Sequence, residues 1–147
     1  MVKDALKFFH AYINEMIELG GENLPRAVST KLGAKLAALY KERGIIDLTT
    51  ALETSYKALG ASTSIKKIDE NTYIIKLKHS KKFCPIGGKR NPTNAQNIQD
   101  SICTPYTKSF LTSLFPEFKF ESEILECIVD NSNSHCSYKL KVKKNPY

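Results

Sequence analysis

The spacing of the apolar residues changes near residue 60, and this change limits the possible folds more than any other feature of the sequence. Before Gly60 the apolar residues recur at every third or fourth position, and after it they alternate with polar residues. The first spacing is typical of amphipathic helices, and alternation is typical of strands with one covered face. Helices followed by strands indicate an α+β domain with an antiparallel sheet.

Residues 1–60 divide into three predicted helices at positions where glycines or capping residues stand. The limits are Gly20-Gly21 for the end of the first helix, Asn23 to near Gly44 for the second, and Asp47 or Thr49 to Gly60 for the third. Small residues lie along the second helix at Gly33, Ala34, Ala37 and Ala38. We therefore expect another backbone to approach this helix closely.

Residues 61–147 are predicted to form about four strands in two hairpins, with one helix between the hairpins. The predicted segments are a strand around Thr63 and Ile65, a turn at 69–71, a strand over 72–79, a polar loop over 80–100, a helix from Thr104 or Pro105 to Phe115, a strand over 118–129, a turn over 130–134 and a last strand over 136–143. In the last strand, Tyr138 and Leu140 are predicted to face inward and the lysines outward. The 147 residues are therefore expected to form one domain, a helical part (1–60) and a sheet part (61–147).

Composition favours a protein that remains in the cytoplasm. No apolar run approaches the roughly 20 residues that a membrane span needs, and residues 1–20 form an amphipathic helix rather than a signal peptide. The net charge is +7, and residues 61–147 hold 14 basic and 8 acidic groups. We interpret the lysines as the solvent face of a sheet, so that nucleic-acid binding is not favoured.

The four cysteines, Cys84, Cys103, Cys127 and Cys136, are expected to be either reduced and buried or bound to a metal. Cys127 and Cys136 flank the last predicted turn, and Cys103 precedes the predicted helix. Because thiolates are good zinc ligands, these three form a candidate zinc site. Glu123 is in phase with Cys127 on a regular strand and is the preferred fourth ligand; Glu126, which needs a bulge, Cys84 and His135 are the alternatives.

Four stretches read together resemble the vinyl-reductase, or hydrocarbon-binding, small-molecule-binding domains of archaeal and bacterial regulators. They are TTALETSYKALGASTSIKKI, NTYIIKLKHSKKF, ICTPYTKSFLTSLF and EILECIVDNSNSHCSYKLKV, and the resemblance extends from Leu48 to Lys143. Two features depart from the family pattern. Ile124 stands where the pattern has a carboxylate, and the turn between Cys127 and Cys136 is longer and lacks the usual glycine.

The resemblance implies a fold shared with subunits of the TRAPP tethering complex and with haem-based nitric-oxide sensors. It also implies a homodimer formed through helices, an apolar pocket between helices and sheet, and zinc held by Cys103, Cys127 and Cys136 with an acidic residue. We predict a domain that binds or senses a small apolar ligand and acts through a partner. The candidate lining residues are Phe8, Phe9, Tyr73, Ile75, Phe110, Leu114 and Tyr138, although core packing is an equal alternative for each.

Two other functions stay open at this stage. One is a dimeric interaction scaffold, like a TRAPP subunit, with a solidly packed interior and no ligand. The other is an enzyme that uses Cys84, for which His79 is the nearby base in the sequence. The sequence contains no paired carboxylates and no phosphate-binding loop in a strand-loop-helix frame, so we do not predict an enzyme.

Overall fold

The computed structural model describes residues 2–21, 23–79, 84, 91–131 and 135–146. The chain begins with the helices α1 (Val2–Gly20), α2 (Asn23–Glu42) and α3 (Leu48–Ala58), as the sequence predicts. The side chain of Asp47 caps α3 by accepting a hydrogen bond from the Thr50 amide at 2.9 Å. Gly21 has a φ of 62°, a left-handed conformation that glycine adopts without strain and that ends α1.

The strands form one antiparallel sheet of four, in the order β1-β2-β4-β3. Strand β1 (Ala61–Asp69) pairs with β2 (Thr72–His79) across the predicted turn. Strand β4 (His135–Lys144) lies between β2 and β3 (Phe118–Glu126). The predicted α+β class and antiparallel sheet are confirmed.

The polar segment before residue 104 is helical, which corrects part of the predicted loop over 80–100. Helix α4 (Pro92–Ile98) continues through a π-helical segment (Gln99–Cys103) into α5 (Thr104–Leu114). Pro92 lies at the first turn of α4, where a missing amide proton costs nothing. Of the remainder of that segment, the structure describes only Cys84 and Asn91, so the rest of the predicted loop lies outside the described residues.

Strand β3 ends at Glu126, three residues before the predicted end, and a short helix α6 (Ile128–Asn131) follows it. A bulge interrupts the pairing with β4, because Ile124 is opposite Tyr138 whereas Glu126 is opposite Ser137. The predicted turn at 130–134 lies partly outside the described residues.

Helices α2 and α5 pack closely at the small residues of α2, which confirms that expectation. A Cβ atom added at Gly33 would lie 2.7 Å from the carbonyl oxygen of Tyr106 and 2.9 Å from the amide nitrogen of Phe110. The main core lies between these helices and the inner face of the sheet, and Phe110, Leu111, Ile75 and Leu140 are fully buried there. Within the described residues, no helix has the length and apolar character needed to cross a membrane.

Candidate functional site: an apolar cavity that ends at four thiols

A cavity of about 470 Å³ lies between the helical layer and the sheet. In the described part of the chain, all six helices and all four strands contribute to its wall. Its apolar wall is formed by side chains that include Ile13, Met16, Val28, Leu36, Leu59, Leu77, Ile98, Ile102, Ile124 and Val129. This volume falls within the range of roughly 300–1,000 Å³ that is usual for small-molecule pockets.

Three large exposed residues of the cavity wall lie on α1 and α2. Phe9 is 40% exposed, Tyr12 is 69% exposed and Leu32 is 48% exposed, although all three line the cavity. Ile13, one turn after Phe9, is buried. We therefore place the mouth between α1 and α2, with the thiols deeper in the wall.

A group of hydroxyls supplies the polar part of the wall. The hydroxyl oxygens of Tyr56 and Tyr138 lie 2.6 Å apart in a buried hydrogen bond, and those of Ser55 and Tyr106 lie 3.4 Å apart. Burial raises the pKa of Tyr56, of Tyr138 and of Tyr106. The hydroxyls therefore stay protonated at neutral pH and can donate or accept hydrogen bonds.

The wall carries few charges in the described part of the chain. Neither lysine nor arginine is among the described lining residues, and the only titratable groups besides the tyrosines and thiols are His79 and Glu126. Burial lowers the pKa of His79, so that its imidazole is neutral at pH 7. This part of the wall offers no cation to an anionic ligand.

All four thiols line the same cavity. Cys103 interacts electrostatically with Cys84 and Cys127, and Cys136 interacts with Cys84 and Cys127. Burial raises the pKa of Cys103. A hydrogen bond from the Cys136 thiol to the Cys127 sulfur lowers the pKa of Cys127 and raises that of Cys136. The three predicted ligands Cys103, Cys127 and Cys136 therefore line one cavity together with Cys84.

The bulge in β3 explains which acidic residues accompany the thiols. It shifts the alternation by one residue, so that Cys127 is buried beside Cys136, while Glu126 is half-buried opposite Ser137 at the edge of the cavity. There Glu126 bonds to the His135 ring and accepts a hydrogen bond from the Ser137 hydroxyl at 3.2 Å. Glu123, before the bulge, is exposed and lies opposite Lys139. The structure therefore does not bring Glu123 to the thiols.

The four thiols suit zinc in the chemistry of their donor atoms but not in their spacing. Four thiols on one wall match the preference of zinc for sulfur donors. In the described part of the chain, however, no three His, Cys, Asp or Glu side chains are arranged so that they could hold a metal ion. A shared metal would require the thiols to move closer together.

The structure distributes the seven predicted lining residues among three environments. Phe9 and Tyr138 are in the cavity wall. Phe8 is 72% exposed and contacts the Tyr12 ring. Tyr73, Ile75, Phe110 and Leu114 belong to the packed core rather than to the wall.

Sequence reasoning missed Tyr56 as a polar wall residue, and it missed the wall residues Ile98 and Ile102. Tyr56 has the same helical spacing as the apolar residues Leu48 and Leu52 of α3, and only the tertiary structure brings its hydroxyl to Tyr138. A signal for the other two was present, because Ala95, Ile98 and Ile102 have helical spacing after Asn91-Pro92, a plausible helix start.

Comparison with known proteins identifies the fold and not a sequence family. No family model matches the chain, and no characterised protein is detectably similar to it in sequence. A solved structure of trafficking protein particle complex subunit 3 from Naegleria fowleri, covalently bound to palmitic acid, is similar with a TM-score of 0.63 and 10% identity. The match covers 97% of this chain and 95% of that one.

A second similar structure is the phenol-responsive sensory domain of the transcription activator PoxR, solved with phenol. Its TM-score is 0.52 at 13% identity, and the match covers 92% of this chain and 73% of that one. The fold shared with TRAPP subunits and with a small-molecule sensor domain, which the resemblance implied, is therefore confirmed.

Proposed function

We propose that this protein binds an uncharged, largely apolar small molecule in the cavity between α1, α2 and the sheet. The observation that carries the proposal is a cavity of about 470 Å³ whose described wall is apolar except for tyrosine and serine hydroxyls, thiols, His79 and Glu126. A solidly packed scaffold would have no such space.

The charges of the wall support a neutral ligand. A buried carboxylate needs a partner cation or several donors, and the described wall has no lysine or arginine. The Tyr56–Tyr138 pair can instead bind a hydroxyl or carbonyl group of the ligand. The two proteins of similar fold were solved with covalently bound palmitic acid and with phenol, and the described wall suits an uncharged occupant such as phenol.

Direct titration can test this function. Isothermal titration with phenol, a long-chain alcohol and the matching fatty acid compares neutral ligands with an anion at pH 7. We expect saturable binding of at least one neutral ligand and at least tenfold weaker binding of the fatty acid. If none of the three binds, or the anion binds best, the proposal fails in this form.

A matched pair of tryptophan substitutions on α2 locates the binding site. Val28 lines the cavity, whereas Ala38 is exposed on the same helix. Val28→Trp should fill part of the cavity and weaken binding at least tenfold, and Ala38→Trp should leave it unchanged. Thermal denaturation of both variants checks that each remains folded.

A zinc ion held by the thiols is a second proposal, supported by the four sulfurs that share one wall. In it, Cys84 takes the fourth position with Cys103, Cys127 and Cys136, because Glu123 faces solvent on the outer side. Zinc there would supply a brace between β4, the connection from β3 to α6 and the end of the π-helical segment. Metal-bound thiolates would be deprotonated, so binding would release protons.

Metal analysis and cobalt substitution test this second proposal. Native mass spectrometry of protein reconstituted with zinc should give one bound ion, and cobalt should produce a strong sulfur-to-metal charge-transfer band. Cys84→Ser should weaken both signals, whereas Glu123→Gln should keep them. Absence of stoichiometric metal, or an unchanged spectrum in Cys84→Ser, rejects the four-thiol site.

We also propose that the protein is a homodimer formed through its helical side and that its output passes to a partner protein. The support is an apolar surface on α1, where Phe8 and Leu19 are 72% and 85% exposed. Light scattering after size exclusion should give a dimer mass, and Leu19→Glu should give a monomer while Lys7→Glu should not. A monomeric wild type at micromolar concentration contradicts the dimer.

A further inference from the structure

The outer face of the sheet is a basic surface that the ligand cavity does not explain. The strand pairing places seven lysines there, with three glutamates on the edge strand β3 and Asp69 at the end of β1. The basic residues are Lys66, Lys76, Lys78, Lys119, Lys139, Lys141 and Lys143, and the acidic ones are Asp69, Glu121, Glu123 and Glu126. All seven lysines are exposed except Lys139, which is half-buried. We call this set the lysine face.

The seven lysines are distributed over all four strands, so their positive charges cover the outer face of the sheet and are not confined to one pocket. Lys76 and Lys78 lie at one end of β2, and Lys141 and Lys143 lie at the other end of the sheet on β4. Neighbouring strands are about 4.8 Å apart, so the ammonium groups cover an extended surface. Such a surface matches a broad anionic partner better than a single phosphate.

The residue types on this face argue against nucleic acid and against a protein partner. None of its outward strand positions in the described residues holds a phenylalanine, tyrosine or tryptophan ring, so it lacks the broad platform on which single-stranded bases stack. It also lacks arginine, which is enriched at protein interfaces, whereas lysine is depleted there. A face of lysines and aliphatic side chains such as Ile74 fits a partner of mobile anionic head groups.

We propose that the lysine face binds the surface of an anionic lipid bilayer, with the strands parallel to the membrane and no segment inserted across it. Each lysine near such a surface strengthens binding about fivefold at physiological salt. The attraction acts over about one Debye length, roughly 8 Å under the same conditions, so lysine side chains can act without deep insertion. This inference does not depend on the proposed ligand.

Vesicle sedimentation with the full chain tests the inference. The probes are vesicles of phosphatidylcholine containing phosphatidylserine and vesicles of phosphatidylcholine alone. The triple change Lys76→Gln, Lys78→Gln and Lys141→Gln should lower partitioning onto the anionic vesicles about 100-fold, because three charges each contribute about fivefold. Binding of wild type should fall as salt rises and should be negligible on the neutral vesicles.

A matched triple substitution on α2 separates the contribution of the lysine face to binding from that of the net charge. Lys31, Lys35 and Lys41 are exposed on α2, so changing them to glutamine removes the same charge from the helical side. This control should keep most of the binding, and arginine at positions 76, 78 and 141 should keep it as well. The midpoint of thermal denaturation checks folding of every variant.

Several outcomes overturn the inference. They are equal loss of binding in the α2 triple, equal binding to neutral vesicles, no binding to the anionic vesicles at low salt, and tighter binding to single-stranded or duplex DNA than to the anionic vesicles. Ligand titration of the lysine-face triple should remain unchanged, so that failure here is distinguishable from failure of the cavity proposal.

Discussion

The inner face of the sheet carries Ile75, Tyr138 and Leu140 beneath the helices, whereas the outer face carries lysines at the alternating positions between them. Both faces belong to the same strands, and neighbours in sequence such as Ile74 and Ile75 have different surroundings. The inner face encloses a cavity with few charges, and the outer face concentrates charge. One alternating pattern thus builds two surfaces with different chemistry, and each supports a different proposal.

Truncating the inner face should have the largest effect on stability. Ile75 is fully buried, so Ile75→Ala should reduce the free energy of unfolding by about 2–5 kcal/mol through lost burial and a residual cavity. Ile74→Ala, at the next position on the outer face, should cost less than about 1 kcal/mol. Urea denaturation of the pair measures the contrast, and equal losses would contradict the assignment of the two faces.

Adding a methyl group to α2, where it contacts α5, should have the next largest effect on stability. At an exposed helical position, glycine to alanine stabilises by up to about 1 kcal/mol. Gly33→Ala should instead destabilise by about 1–3 kcal/mol, because the new Cβ meets backbone atoms of Tyr106 and Phe110 that cannot move aside cheaply. Calorimetry gives the sign, and a stabilised variant would contradict the close packing of α2 on α5.

The hydroxyls of the inner face should make the protein sensitive to alkali. Burial raises the pKa of Tyr56 and of Tyr138, so above about pH 10 the unfolded chain loses tyrosine protons that the folded chain retains. The free energy of unfolding should then fall as pH rises, by about 1.4 kcal/mol per pH unit for each such tyrosine. Tyr138→Phe should remove the contribution of Tyr138 to this pH dependence, which urea denaturation at several pH values measures. If the free energy of unfolding of the variant falls with pH as steeply as that of the wild type, burial of Tyr138 does not cause the sensitivity.

Local patterns predicted most of this architecture, because helix caps, glycine stops and alternation act within a few residues. The ends of α1 and α3 and the faces of β4 follow from them. The bulge at the end of β3 was not predictable, because Leu125, Cys127 and Val129 continue the alternation and give no sign that it shifts. That shift turns Cys127 inward, whereas Glu123, which precedes the bulge, keeps its outward position opposite Lys139.

The cavity wall was less predictable than the fold for a related physical reason. A buried apolar side chain has the same sequence pattern whether it touches other side chains or an open space. The periodicity of the sequence predicts an inward-facing side chain for both Phe110 and Tyr138. Phe110 nevertheless packs in the core, whereas Tyr138 lines the cavity. Only the relative positions of helices and sheet distinguish them.

Changing an acidic residue of the outer face should have the smallest effect on stability. Glu123 is exposed and lies opposite Lys139, and exposed charge pairs contribute little because water and salt screen them. Glu123→Gln should therefore change the free energy of unfolding by less than about 0.5 kcal/mol. The same variant should bind anionic vesicles about fivefold more tightly, because it removes one negative charge beside the lysine face. Urea denaturation measures the effect on stability, and vesicle sedimentation measures the effect on binding. A large loss of stability would contradict the exposed position of Glu123.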